Sequence, residues 1–295
     1  MAFLREKSYV IVTPARNEEN YIEKTIKSVA SQSLLPKKWI IVSDGSTDRT
    51  DIIVRGYENK YDFIHLLRAD DDNKRNFGSK IMAFRAGVKQ LTNLKYDFIG
   101  NLDADVSFDF NYYENLLQRF NNDPKLGVGG GFVLELQNGV YRARFGSTER
   151  SVPGAVQMFR RKCYENIGGY IPLNAGGVDA VAETMARMKG WKVESFSDLE
   201  VIHHRQIGFG VENGILKYRF REGLRDYSIG YDPIFFLLKV IQRIIEEPYV
   251  LGTLLRLAGY SWAILRNYKK EVPPAFIRFI RNEQLNRIRS MLSVK

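Results

Sequence analysis

A chain of 295 residues, 44% hydrophobic and 26% charged, is long enough to bury a sizeable core and too mixed in composition for a fibrous or disordered protein. Its single cysteine, Cys163, excludes an internal disulfide framework and fits a reducing compartment, where a small buried hydrophobe is its expected role. The net charge of +10 is uneven: residues 205–295 carry 16 Lys and Arg against 8 Asp and Glu, so only +2 is left for the rest, and the basic tail is open to nucleic acid or an anionic membrane surface.

Residues 1–7 lead straight into a strand pattern, and no secretory signal is expected there. Tyr9–Val12 is the first strand, followed by helical spacing over Glu18–Ser31. Trp39–Val42 is the second strand and Asp48–Tyr57 a short helix, with Ser46 or Thr47 as its N-cap. Phe63–Leu67, Ser79–Leu91 and Tyr96–Leu102 continue as strand, helix and strand. This alternation predicts an α/β domain with a mainly parallel sheet and helices on both faces. Ligands of such sheets lie at the C-terminal ends of the strands. Beyond Asp105 the pattern is mixed: a helix over Tyr112–Phe120, strands over Gly127–Leu136 and Ala155–Arg160, a helix over Asp179–Lys189, then short strands over Lys192–Phe196 and Glu200–His203. From about Glu212 the chain reads as helical and aromatic-rich.

Polar clusters close the strands. Thr13-Pro-Ala-Arg-Asn-Glu-Glu19 ends the first, with Arg16 a fixed cation for phosphate or base recognition and Glu18 in a first helical turn, where it also complements the helix dipole. Ser43-Asp44-Gly-Ser-Thr-Asp48 ends the second: Asp44 can accept a hydrogen bond from a pyrimidine N–H, and Ser46–Asp48 can cap a helix. Asp70–Lys74 is a charged loop, and Lys80 follows a glycine at a helix start, a setting that suits a phosphate. Asp103-Ala-Asp105 ends an apolar run. Carboxylates are costly to bury unless paired or metal-bound, and such a pair can hold a hard divalent cation and, through it, a diphosphate. Gly127–Gly131 precedes a strand rather than a helix, so tight backbone packing or approach to a sugar is expected instead of a phosphate loop.

The ordered set Pro14–Glu19, Ser43–Asp48, Gly78-Ser-Lys80, Asp103-Ala-Asp105, Gly168-Gly-Tyr170, Val178-Asp179 and Met188–Trp191 resembles a family 2 glycosyltransferase over roughly residues 8 to 205. The resemblance implies the GT-A nucleotide-diphospho-sugar fold, a mostly parallel Rossmann-like sheet, over residues 1–210, with a C-terminal amphipathic helical region over 211–295. It implies Thr13, Pro14 and Glu18 in the nucleotide pocket beside Arg16, Asp44 on the base, Lys80 near ribose or phosphates, and Asp103 and Asp105 on ribose and a Mg2+ or Mn2+ ion. It further implies inversion by direct displacement, with Asp179 as the base. Val178 departs from the family's Glu-Asp pair, and Glu183, one turn on, is the reserve. His203-His204 ends a strand where such enzymes often place a further metal ligand. Alternation turns one of the two toward the site, and His203 is favoured. Arg205 can meet the diphosphate.

Tyr249–Leu265 is the longest apolar run, seventeen residues broken by Arg256. A span needs ~20 apolar residues and a central Arg costs ~3 kcal/mol, so a membrane-lying bundle is expected rather than a spanning helix. Packing onto the catalytic domain or a homo-oligomer interface competes with it. The expectation is therefore a cytoplasmic enzyme, peripheral at the inner face of the cell membrane. It would take a nucleotide sugar, with UDP favoured through Asp44, and pass the sugar to a glycan or lipid-linked acceptor. No nucleic-acid module is recognisable. A sugar-1-phosphate nucleotidyltransferase is discounted because Pro14–Glu19 replaces its Gly-rich loop. A non-catalytic scaffold on the same frame remains the alternative.

Overall fold

The computed structural model describes residues 7–69, 77–137, 139–143, 147–205 and 214–293. The reading of residues 1–6, the Asp70–Lys74 loop and the expected boundary at 210/211 lie outside the described residues. Contacts divide the chain into two units: Met1–Pro172 with Val178–Arg205, and Leu173–Gly177 with Gln206–Lys295.

In the first unit the strands are β1 (Tyr9–Ala15), β2 (Lys38–Asp44), β3 (Ile64–Ala69), β4 (Phe98–Asn101), β5 (Val106–Phe108), β6 (Leu126–Gln137), β7 (Val140–Ala143), β8 (Met158–Arg160) and β9 (Lys192–His203). Between them lie α1 (Ile22–Ala30), α2 (Thr50–Glu58), α3 (Phe77–Lys89), α4 (Tyr112–Asn122), α5 (Arg161–Asn166) and α6 (Val178–Met188). The sheet order is β3-β2-β1-β4-β8-β6-β9-β5, with β7 folded back on β6. β1 to β4 are mutually parallel, as the alternating pattern predicts; β8, β5 and β7 add antiparallel pairings, so the sheet is mixed beyond β4.

Side-chain alternation splits the core into two layers. Tyr9, Ile11, Trp39 and Ile41 face a cluster completed by Ile22, Ile26 and Val29 of α1, Val54 of α2 and Leu116 and Phe120 of α4. Val10, Val12, Ile40 and Val42 face the opposite cluster with Ile81 and Phe84 of α3 and Ala182 and Ala186 of α6. A strand buried on both faces reads as a continuous apolar run, which is why β1 and β2 are so legible. Cys163 is buried in the second layer, as expected.

Several elements differ from their sequence reading. α1 starts at Ile22 rather than Glu18, because Asn17 takes a left-handed φ of 54° and the chain around it binds the next loop first. Lys192–His203 is one strand, not two, with an irregularity between Gly131 and Phe132 of its partner β6. The glycine run of β6 packs tightly: a Cβ on Gly131 would lie 2.0 Å from Leu199 O.

The second unit comprises α7 (Gly214–Ser228), α8 (Pro233–Gln242), a short 3-10 turn (Arg243–Ile245), α9 (Tyr249–Leu265) and α10 (Pro274–Ser293). Asp232 caps α8, accepting the Ile234 and Phe235 N–H groups, with Pro233 in the first turn. α7 and α9 cross at glycines: a Cβ on Gly223 would lie 1.9 Å from Arg256 O, and one on Gly259 2.0 Å from Phe220 O. Arg256, which interrupts the apolar run, is 2% exposed and binds Glu222 at 3.0 Å and Glu246. Among the described residues no helix is long and apolar enough to cross a membrane. The seventeen residues of α9 rise roughly 25 Å, short of a hydrocarbon core of about 30 Å. Ile234, Leu237, Leu238 and Ile241 of α8, with Ile244, Ile245, Val250, Leu251 and Leu254, stay exposed.

Candidate active site

Four strand ends, those of β1, β2, β4 and β9, build the site. At the end of β1, Asn17 N–H donates to Ser46 Oγ at 3.2 Å, while Asn17 Oδ1 accepts the Thr47 N–H at 2.8 Å. Glu18 N–H donates to Thr50 Oγ1 at 2.7 Å, and Glu19 N–H to Asp48 Oδ2 at 3.0 Å. The loops after β1 and β2 are thus stitched into one rim. Ser46 serves that seam instead of capping α2; Asp48 accepts the Thr50 N–H and hydroxyl. Arg16 lies 3.8 Å from Asp44, which keeps these two predicted groups together at the rim. Pro14 is half-buried beside them. Thr13 lies deeper: it is fully buried and its hydroxyl accepts the Trp39 indole N–H at 2.9 Å, so its side chain belongs to the core rather than to a pocket wall.

The Asp103–Asp105 segment is clamped on both sides. Asp103 N–H donates to Ala155 O, and Thr25 of α1 donates to Ala104 O and accepts the Val106 N–H. With the backbone held, the two carboxylates have defined neighbours. Asp103 pairs with Lys80 at 2.6 Å. Asp105 Oδ1 lies 3.2 Å from His203 Nε2, and its Oδ2 lies 3.4 Å from Arg205 Nε. Arg205 also binds Glu18.

The two adjacent histidines separate, as alternation demands. His203 turns into the site; His204 turns away, with Nε2 2.9 Å from Ser107 Oγ and its ring stacked on Tyr21. Potential ligand atoms of Asp103, Asp105 and His203 all lie within 4.8 Å of one another. Two carboxylates and an imidazole suit a divalent cation such as Mg2+ or Mn2+. The buried His203 Nδ1 has no aligned hydrogen-bond partner, which fits a ring whose orientation a cation would complete.

The charges act on one another. Burial raises the Glu18 carboxyl to about 7, with Asp105 adding to the rise and Arg205 opposing it. Burial also works against Asp105, yet His203 and Arg205 hold it below the ordinary aspartate value. His203 moves up to about 9: burial disfavours its charge, but Asp105 and Glu135 outweigh that.

Asp179 lies in the first turn of α6, half-buried, against Gly154: a Cβ there would meet its Oδ2 at 3.1 Å. Glu183, one turn later, is 3% exposed and fully engaged. It accepts the Val152 N–H at 2.6 Å, the Ser151 hydroxyl at 3.0 Å and the Gln157 amide at 3.1 Å. Burial, with Asp179 next, pushes it up to about 8. Of the two candidate bases, Asp179 is the accessible one; Glu183 holds the loop beneath it.

Glu135 of β6 also borders the site, 3.4 Å from His203 Nδ1. It follows Gly131 and Val133 at alternate buried positions of β6, so a carboxylate falls in phase with an apolar face.

The family profile described as glycosyl transferase family 2 matches residues 10–183. Poly-beta-1,6-N-acetyl-D-glucosamine synthase of Staphylococcus aureus (strain MSSA476) is 24% identical over 196 residues, 60% of this chain and 45% of that protein. The Staphylococcus epidermidis protein of the same name is 26% identical over 203 residues, 63% of this chain and 45% of its own. The chain therefore spans a little under half the length of these relatives. Among solved structures, the mannosyltransferase PcManGT from Pyrobaculum calidifontis in complex with GDP-Man and Mn2+ aligns with a TM-score of 0.57 at 15% identity, over 99% of this chain and 82% of that one. S. aureus TarS 1-349 in complex with UDP aligns with a TM-score of 0.55 at 15% identity, over 88% and 92%. These likenesses show the fold: a GT-A sheet with helices on both sides, accompanied by C-terminal helices.

Proposed function

The chain belongs to glycosyl transferase family 2, and from that premise we propose an inverting, metal-dependent transfer of a sugar from a UDP-sugar to a hydroxyl of a glycan or lipid-linked acceptor. The carrying observation is the convergence of Asp103, Asp105 and His203 at the strand ends, flanked by Lys80 and Arg205. Asp44 accepts the uracil N–H, with Arg16 and Pro14 beside it, and Glu18 closes the pocket through Arg205. Thr13 supports this wall from the core. Asp103 and Asp105, with His203, would hold Mg2+ or Mn2+; when bound, the cation neutralises the diphosphate and assists its departure. Lys80 and Arg205 add positive charge toward the same phosphates. Asp179 takes the proton of the acceptor hydroxyl as its oxygen bonds to the anomeric carbon and the carbon–oxygen bond to the diphosphate breaks, which inverts that carbon.

The names of relatives and neighbours support a nucleotide-sugar donor: one neighbour holds UDP, another GDP-Man with Mn2+. We assign the catalytic domain to residues 1–210 and the helical region to 211–295. The exposed apolar side chains of α8 and α9, on a unit whose sequence carries most of the basic excess, suit the inner face of an anionic membrane. A direct test is UDP binding by calorimetry with and without Mn2+, followed by a screen of nucleotide sugars. Mn2+-dependent UDP binding and release of UDP on transfer are expected. An absence of UDP binding with Mn2+ present would favour the non-catalytic scaffold.

A further inference from the structure

We propose that Glu135 is a positioning residue for His203, receiving its Nδ1–H and so presenting Nε2 to a divalent cation shared with Asp103 and Asp105. The inference rests on the metal site proposed above, but concerns a residue on a strand outside every motif that site was read from.

The strand pairing makes the contact. β6 and β9 run parallel, and their register sets Glu135 directly beside His203. Glu135 is 8% exposed, at a position where an apolar side chain would continue the buried face begun by Gly131 and Val133. Glu135 Oε1 lies 3.4 Å from His203 Nδ1, while Nε2 on the opposite edge of the ring lies 3.2 Å from Asp105 Oδ1. The imidazole is held between two carboxylates, one on each nitrogen.

The two carboxylates differ in what they can do next. Asp105 belongs to the group whose ligand atoms converge within 4.8 Å; Glu135 sits behind the ring and outside that group. An imidazole bound to a cation through Nε2 has one N–H left, on Nδ1. That nitrogen is buried and has no aligned acceptor in this structure, with the Glu135 carboxylate standing beside it. At 3.4 Å, Glu135 Oε1 stands within reach of that N–H. Carboxylates behind ligating histidines fix the ring and raise its basicity in this way.

The test uses the full chain and Mn2+ alone, with uptake followed by the EPR signal of the free ion. Glu135→Gln keeps an acceptor oxygen without the charge; Glu135→Met keeps the volume without either. Glu135→Met is expected to weaken Mn2+ binding on the order of 10- to 100-fold, and Glu135→Gln to weaken it less. Wild-type affinity in Glu135→Met overturns the proposal. Equal losses in both variants also overturn it, because they point to plain charge rather than a directed hydrogen bond. A second measurement needs no variant: nitrogen-15 NMR of the Mg2+-loaded wild type should show a neutral His203 protonated at Nδ1, and protonation at Nε2 contradicts the assignment. His203→Ala separates the two levels. If it binds Mn2+ like the wild type, or if the wild type takes up none, the metal reading itself has failed.

Discussion

Two glutamates, the half-buried Glu18 and the buried Glu222, one in each unit, are driven in opposite directions. Burial raises Glu18 to about 7, with Asp105 adding to it. Glu222 in the helical unit is more deeply buried, yet Arg225, Arg256 and Arg243 carry it down to about 2. The difference lies in the local balance of charge. Among the described contacts around the strand ends, Glu18, Asp103, Asp105 and Glu135 meet Lys80, Arg205 and one histidine. In the helical unit, Glu222, Asp226 and Glu246 are met by Arg219, Arg225, Arg243, Arg256 and Lys239. A cluster with surplus cations closes on itself and holds helices together. On the function proposed above, a cluster in which carboxylates converge at the ends of interior strands suits a cation from outside.

The sharpest way to break this contrast is Asp105→Ala. If the acidic surplus exists to hold a cation, transfer should fall on the order of a thousandfold or more, as UDP release would report. Retained turnover would remove the metal role. Asp179→Asn should lower kcat by roughly 10²- to 10⁴-fold while leaving the UDP affinity of the Mn2+-loaded protein near that of the wild type. Should Glu183→Gln stop transfer instead, the base is one turn further along α6.

Arg256→Ala addresses the other cluster. Removing Arg256 takes the most deeply buried cation from Glu222 and Glu246, which keep Arg219 and Arg243, so the cost in denaturant unfolding should be at most about 3–5 kcal/mol. A change under 1 kcal/mol would mean the cluster is redundant.

Glu183→Gln probes the acidic side through pH. The folded carboxyl, near 8, lies above its ordinary value of 4.5, so the fold favours its protonated form. Its unfavourable contribution is absent below about pH 4.5, grows as pH rises, and is complete above about 8. The variant should therefore melt higher than the wild type at pH 8.5, with the gap closing toward pH 5; a gap independent of pH contradicts the assignment. The smallest effect concerns the surface. Ile241→Lys should reduce co-sedimentation with anionic vesicles and leave Mn2+ binding unchanged, whereas undiminished sedimentation would leave the exposed face of α8 to a second copy or another use.

The alternating half of the sheet was legible because β1, β2 and β4 are buried on both faces and therefore apolar throughout. Asp44, Asp103, Asp105 and His203 stand out in the sequence as candidates because polar residues at strand ends interrupt such runs, and Lys80 because it opens a helix after a glycine. Less legible were the groups whose meaning depends on a partner far along the chain. Thr13 reads as a pocket residue until the Trp39 indole is placed against it. Glu183 reads as a spare base until the Ser151–Gln157 connection folds over it. Arg256 reads as a break in an apolar helix until α7 brings Glu222 to meet it.

What the sequence determined by itself is local: the period of each element, the residue types at each strand end, and the fact that His203 and His204 must face opposite ways. The tertiary structure decided which of the two faces Asp105, that Glu135 stands behind it, and that the charges of the helical unit are turned on one another. Periodicity assigns a side chain to a face, but the neighbour across a sheet or bundle is set by register and crossover. Those depend on contacts distant in sequence, such as β6 lying beside β9 and α7 beside α9.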